Sequence, residues 1–242
     1  MDVTASHRHD DGVLERSFAL GEIPGTLWTP AEAGPAPLVL LSHNNGLPRT
    51  DARLVARARF HAARYGFAVV TIDAPECGDR PRSPDTDRVR AELMRARQAG
   101  EPLEDHLEAL VAPLVAGAVP DWRATLDAVL DLPGIGPAVG YTGWAALGLA
   151  LALAEPRVAA IGLFLGGYVP AGLRARASEV GVPALFLLQW DDEGNPRERA
   201  LDLFDALGSR EKTLHANPGG HLGTPAFELD DSCRFLARHL RG

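Results

Sequence analysis

Short apolar runs alternate along the chain with stretches in which apolar residues recur every three or four positions. This alternation predicts strands interleaved with amphipathic helices. Residues 14–20 and 25–28, separated by a turn holding Gly and Pro, predict an antiparallel entry hairpin. Residues 37–41 (PLVLL) read as a buried strand running into the polar loop SHNNG. A helix is predicted from about 51 to 65, with Leu54, Val55, Ala58 and Ala62 on one face and Gly66 as its stop. Residues 67–75 (FAVVTIDAP) form the next predicted strand.

Beyond it the pattern turns helical from about 84 to 118, and a further helix is predicted to start, capped, near Asp121. The strand PAVGY, a helix over 144–154, and the strands VAAIGLFLGG and VPALFLLQW follow. A helix over 196–207, a short strand KTLHA and a closing helix over 226–240 complete the chain. Continuous apolar strands between amphipathic helices imply a mostly parallel sheet covered on both faces. Ligands in such sheets gather at the carboxyl ends of the strands, where the insertion over 84–118 is placed as a lid. Residues 1–12 are polar and patternless, so they are expected to form a flexible N-terminal arm ahead of one domain over 13–242.

Composition narrows the partners. The net charge of -8 argues against nucleic acid and anionic membrane surfaces, both of which need clustered positive charge. The arginine-dense stretch over 80–97 is interrupted by Asp85, Asp87 and Glu92, and reads as a solvated helix face. Two cysteines, Cys77 and Cys233, are too few and too far apart for a disulfide framework or a zinc motif. The longest apolar run, over 145–154, is too short to span a bilayer. The first residues carry acids and no apolar segment of a secretory signal, so a cytoplasmic location is expected. With no Gly-rich phosphate loop after a strand and no metal-binding motif, neither cofactor nor metal is expected. The expected partner is a small-molecule substrate; the oligomeric state stays open, a homodimer being one option.

The candidate chemistry sits just after strands. Asp191, Asp192 and Glu193 follow VPALFLLQW, and NPGGH, ending in His221, follows KTLHA. An acid after one strand and a histidine after the next suit a pair in which a carboxylate orients an imidazole that shuttles a proton. The stretches LLSHNNG, IDAPECGDRPR, DDEGNPRE and NPGGH resemble, in turn, the oxyanion loop, the "DAPGHGDR" element, the Asp loop and the His loop of the dienelactone-hydrolase-like branch of the α/β-hydrolases. The resemblance runs from about residue 38 to the C-terminus. It implies an α/β-hydrolase sheet of the eight-stranded type, with helices on both faces and a helical lid. It also implies His221 as base, Asp192 as its orienter (four residues before Pro196), and an ester, thioester or lactone as substrate.

The chain departs from that family at the nucleophile, normally the Ser of Gly-x-Ser-x-Gly on a strand-to-helix turn. No serine lies between Ser83 and Ser178. One alignment puts Thr142 at the nucleophile position, in Gly140-Tyr141-Thr142-Gly143-Trp144. Another puts Ala145 there, in Gly143-Trp144-Ala145-Ala146-Leu147. The first is preferred because it needs no deletion and keeps a hydroxyl. Asn44 and Asn45 stand where a Gly-rich pair is usual; the backbone N–H groups of Asn45 and Gly143 are expected to form an oxyanion hole, with Asn44 and Trp144 beside the substrate. His43 is expected to be structural, His215 a core or edge filler, and Cys77 a small buried residue. Glu76 is a lesser candidate for a pocket acid; Trp122, Trp144 and Trp190 either line an apolar pocket or, as large aromatics in this fold more often do, pack. The leading expectation is a hydrolase with Thr142 or a water attacking. The alternatives are a cyclisation, elimination or isomerisation with His221 as base, or small-molecule binding without turnover.

Overall fold

A computed structural model describes residues 1–30, 34–43 and 47–241. Nine strands make one sheet: β1 (Asp2–Arg8), β2 (Val13–Leu20), β3 (Ile23–Pro30), β4 (Ala36–Leu41), β5 (Ala68–Ile72), β6 (Ile135–Trp144), β7 (Val158–Phe164), β8 (Ala184–Gln189) and β9 (Lys212–Asn217). Their order across the sheet is β1-β2-β3-β5-β4-β6-β7-β8-β9. The first three strands are antiparallel, β3 meets β5 antiparallel, and every pair from β5 to β9 is parallel. The sequence pattern predicts eight strands. The ninth is β1, which occupies part of the expected loose arm. All seven of its residues are exposed, so backbone pairing to β2 holds it and no apolar pattern announces it.

Helices cover both faces. On one side α1 (Ala52–Tyr65) and α7 (Phe227–Leu240) bury Leu54, Ala58, Ala62, Phe235 and Leu236 against Trp28, Val39 and Val69. On the other, α3 (Glu104–Leu130), α4 (Ala145–Ala154) and α6 (Arg197–Ala206) pack Trp122, Leu126, Leu149 and Leu203 over Leu40, Val70, Ile161 and Phe186. α1 follows the predicted boundaries: Asp51 accepts from the Arg53 N–H at its start, and Gly66 ends it in the left-handed conformation, φ 60°. A short helix, α5 (Ala171–Ala175), was not predicted.

The lid region is organised differently from the sequence reading. α2 (Pro84–Ala99) starts on a Ser83 cap and a first-turn proline, and ends at Gly100. α3 then runs 27 residues without a break, with Pro113 and Pro120 inside it. The helix start predicted at Asp121 is therefore corrected; Asp121 pairs with Arg80 instead. Interior prolines usually disrupt a helix, but the buried row Val111, Val115, Ala118, Trp122, Leu126 and Val129 carries this one through. Among the described residues no helix is long and apolar enough to cross a membrane.

Candidate functional site

The sheet brings the ends of β6, β8 and β9 together. β8 ends at Gln189 and β9 at Asn217. Their following loops are stapled by backbone bonds from Trp190 N–H to Asn217 C=O at 2.8 Å and from Asp191 N–H to Gly219 C=O at 3.0 Å. The Gly219 N–H returns a bond to the Asp191 carboxylate at 3.1 Å. This staple turns Asp191 away and sets its neighbour Asp192 against the imidazole: His221 Nδ1 lies 2.9 Å from Asp192 Oδ2. The Asp192 side chain is buried, and its other oxygen accepts the Gly194 N–H at 2.8 Å.

A carboxylate only accepts, so Nδ1 carries the shared proton and the neutral ring keeps its lone pair on Nε2. Two further contacts fix the ring. The edge-to-face Phe164 ring lies 5.4 Å away. Glu193 accepts the His221 backbone N–H at 3.1 Å. Hydrogen bonds from its own N–H and that of His221 hold the Glu193 carboxyl below the usual carboxylate range. Gly166 makes the approach possible, since a Cβ there would stand 2.6 Å from His221 Cε1. None of Phe164, Glu193 and Gly166 carries a sequence signal beyond its place at or just after a strand end.

His221 lines a cavity of about 760 Å³ together with Ser42, His43, Arg57, Gly143 and Trp144. A second cavity of about 470 Å³ lies under the lid, lined by Cys77, Met94, Leu110 and Trp122. Ser42, His43, Leu47 and Trp144 border both. Trp144 thus stands at their junction rather than in simple core packing.

The strand-to-helix turn does not place Thr142 as expected. β6 continues through Trp144, and α4 starts at Ala145. Thr142 is an interior strand residue, only 4% exposed, paired with Leu41 on one side and Gly162 on the other. It is not among the residues lining the His221 cavity. The turn falls on Gly143-Trp144-Ala145, the segment of the second alignment, with Ala145 fully buried at the start of α4. The correction has a physical cause. Gly143 has φ 140° and would bring a Cβ to 2.3 Å from the Ser42 carbonyl, so the chain can bend there and not one residue earlier.

That turn is braced by a closed ring of hydrogen bonds which the sequence reading missed. Trp144 N–H donates to Ser42 Oγ at 3.2 Å, Ser42 Oγ lies 2.5 Å from the Tyr141 hydroxyl, and the Tyr141 hydroxyl donates to the Trp144 carbonyl at 2.7 Å. Tyr141 spends its proton on Trp144, so Ser42 donates to Tyr141 and the ring has one consistent direction. Trp144 gives α4 no side-chain cap, and the first-turn N–H groups of α4 remain as donors at its N-terminus.

The remaining candidates resolve into structural parts. Asn44 and Asn45 lie outside the described residues. Glu76 accepts the Ser83 N–H at 2.5 Å and so organises the loop leading into α2. Burial pushes the Cys77 thiol up, away from the thiolate a nucleophile needs. Trp190 is exposed under the Arg197 guanidinium. His215 is no mere filler: its Nδ1 pairs with Glu228 at 2.8 Å, and Asn217 donates to the other Glu228 oxygen at 2.8 Å, tying α7 to β9. His215, Glu228 and Asp231 bring donor atoms within 4.8 Å of one another. Both Glu228 oxygens are already engaged, which marks the group as a hydrogen-bond network.

No protein-family model matches the chain, and no curated protein does. Solved structures do. A cold-adapted esterase from an Arctic intertidal metagenomic library, in its polyethylene-glycol-bound complex, is 29% identical, with 99% of this chain and 100% of that one covered and a TM-score of 0.77. The Thermus thermophilus protein TT1662 is 19% identical over the whole of both chains, with a TM-score of 0.68. Acetyl xylan esterase 1 from Thermoanaerobacterium sp. is 14% identical, covering 98% of this chain and 88% of its own, with a TM-score of 0.67. Together with the nine-stranded sheet and its covering helices, these establish the α/β-hydrolase fold.

Proposed function

We propose that this chain is an ester hydrolase, acting on a small-molecule ester, lactone or thioester, in which His221 draws a proton from an attacking water. The observation that carries the reading is the 2.9 Å bond from His221 Nδ1 to buried Asp192, in a ring that lines a cavity of about 760 Å³. The esterase neighbours, one at 29% identity over the full chain, support the substrate class.

Asp192 holds the tautomer and stabilises the imidazolium that forms when Nε2 accepts the proton. The carbonyl carbon receives the water oxygen, the C–O or C–S bond to the leaving group breaks, and the imidazolium returns its proton to that group. Developing negative charge on the carbonyl oxygen is stabilised by the uncapped N-terminus of α4, with the Asn45 N–H as the expected second donor. Water is the attacking group because Thr142 is held inside β6 and Ala145 has no hydroxyl. The same lack of a hydroxyl favours, as the second reading, a proton-transfer reaction on the substrate with no acyl-enzyme.

The test combines a fluorophosphonate probe with p-nitrophenyl ester turnover for the wild type, Thr142→Ala and His221→Ala. Turnover lost in His221→Ala but kept in Thr142→Ala, with no covalent adduct, is the expected result. Labelling lost in Thr142→Ala would restore the threonine as nucleophile. Absence of any ester turnover would remove the hydrolase and leave the proton-transfer reading.

A further inference from the structure

The geometry points to Arg57 as an anion subsite in the His221 cavity, and hence to substrates that carry a carboxylate besides the ester. This rests on the ester-hydrolase reading for the reacting bond, but the subsite itself stands on its own observations.

Arg57 lies on the inward side of α1, between buried Leu54 and Ala58, and lines the cavity. Three other arginines of this region are paired: Arg49 with Asp73, Arg53 with Asp51, and Arg59 with Asp11. Arg57 has neither an ion-pair nor a hydrogen-bond partner among the described residues. The groups acting to favour its charge are the Cys233 thiol and the Tyr141 phenol, and burial pushes the guanidinium below its ordinary range. Arg57 is half-buried, and a guanidinium partly withdrawn from water is less stable without a countercharge than with one. That arrangement is explained if a ligand supplies the missing charge.

The cavity's own acid does not supply it. Glu228 is the acidic residue lining it among those described, and both its oxygens are held by His215 and Asn217. Arg53 lines the same space, so two arginines face one glutamate there although the whole chain carries -8. A single guanidinium offers a planar fork that matches a carboxylate in two parallel bonds.

The experiment uses the full chain as wild type, Arg57→Met, Arg57→Lys and His221→Ala. Hydrolysis of monoethyl adipate and of its neutral counterpart ethyl hexanoate is followed by pH-stat, and binding of adipate itself by calorimetry. The wild type is expected to prefer the charged ester by about 10- to 100-fold in kcat/KM, mainly through KM. In Arg57→Met that ratio falls towards unity, and Arg57→Lys retains part of it. Adipate is expected to bind the wild type and His221→Ala but not Arg57→Met. If Arg57→Met does not fold, loss of adipate affinity in Arg57→Lys decides the question.

Adipate binding that is absent from the wild type, or unchanged in Arg57→Met, would overturn the subsite. Inorganic phosphate binding more tightly than adipate at Arg57 would overturn the carboxylate assignment. If neither ester turns over while adipate binding still depends on Arg57, the hydrolase reading falls and the subsite stands.

Discussion

At His221 the decisive variable is which ring nitrogen holds the proton, and Asp192 decides it. Asp192→Asn offers an amide that can also donate, which frees the tautomer; kcat is expected to fall by about 10²- to 10⁴-fold with KM little changed. Steady-state kinetics of both parameters check this, and a pure KM effect would count against the orienting role. Ala145→Ser tests the turn from the opposite side. It adds one hydroxyl at the first residue of α4, where the second alignment puts a nucleophile, and the variant is expected to gain fluorophosphonate labelling detectable by mass spectrometry. Gly166→Ala would thrust a methyl group into His221 and is expected to lower turnover while leaving the lid cavity intact. The places of Asp192 and His221 just beyond β8 and β9 were legible in the sequence, because strand ends are marked by local pattern. Arg57 was not, because an arginine on an amphipathic helix reads as solvated until the burial of its neighbours is known.

Among elements, the junction of β6 with α4 matters most. The ring formed by Trp144, Ser42 and Tyr141 joins β4 to the turn, and each member satisfies the next. Tyr141→Phe or Ser42→Ala leaves a buried polar group unpaired, a loss of about 1–3 kcal/mol in either case. The double variant is expected to lose less than the sum, because both single changes open the same ring. Urea unfolding of the four proteins measures this coupling, and strict additivity would mean that no ring operates. The sequence reading centred this turn on Thr142, which the fold keeps inside β6. It weighed the absence of a deletion, whereas the bend was decided by where a side chain fits beside the Ser42 carbonyl.

For the whole molecule, acid sensitivity is expected to enter at the end of α4. Hydrogen bonds from Arg157, assisted by the charges of Arg157 and Arg123, hold the Glu155 carboxyl down at about 2, against 4.5 for the free group. A folded-state pKa below the unfolded one stabilises the fold above the unfolded value, and that gain is lost as pH falls through the folded value. Glu155 therefore contributes fully above about pH 4.5 and progressively less towards pH 2. Thermal melts of Glu155→Gln are expected to show a lower Tm than the wild type at pH 7, with the two converging near pH 2. β1 is expected to be dispensable for the site. Its residues are exposed and β2 keeps its pairing to β3, so deleting residues 2–8 should cost about 1 kcal/mol or less, a Tm change of about 2–4 °C. Ester turnover by the truncated chain checks that the opposite edge of the sheet is unaffected.

The amino-acid sequence by itself determined the α/β alternation, the mostly parallel sheet and the strand ends that carry Asp192 and His221, because hydrophobic periodicity and strand-end position are local properties. It left open everything that depends on two segments approaching each other. β1 forms because β2 offers it a free edge. α3 passes through Pro113 and Pro120 because a buried face rewards continuity. The turn after β6 falls beyond Thr142 because Gly143 lies against Ser42, 101 residues away in the chain, a contact that no local pattern encodes. The place of Arg57 in the cavity wall was likewise decided only in three dimensions, where among the described residues Arg53 and Arg59 are paired and Arg57 is not.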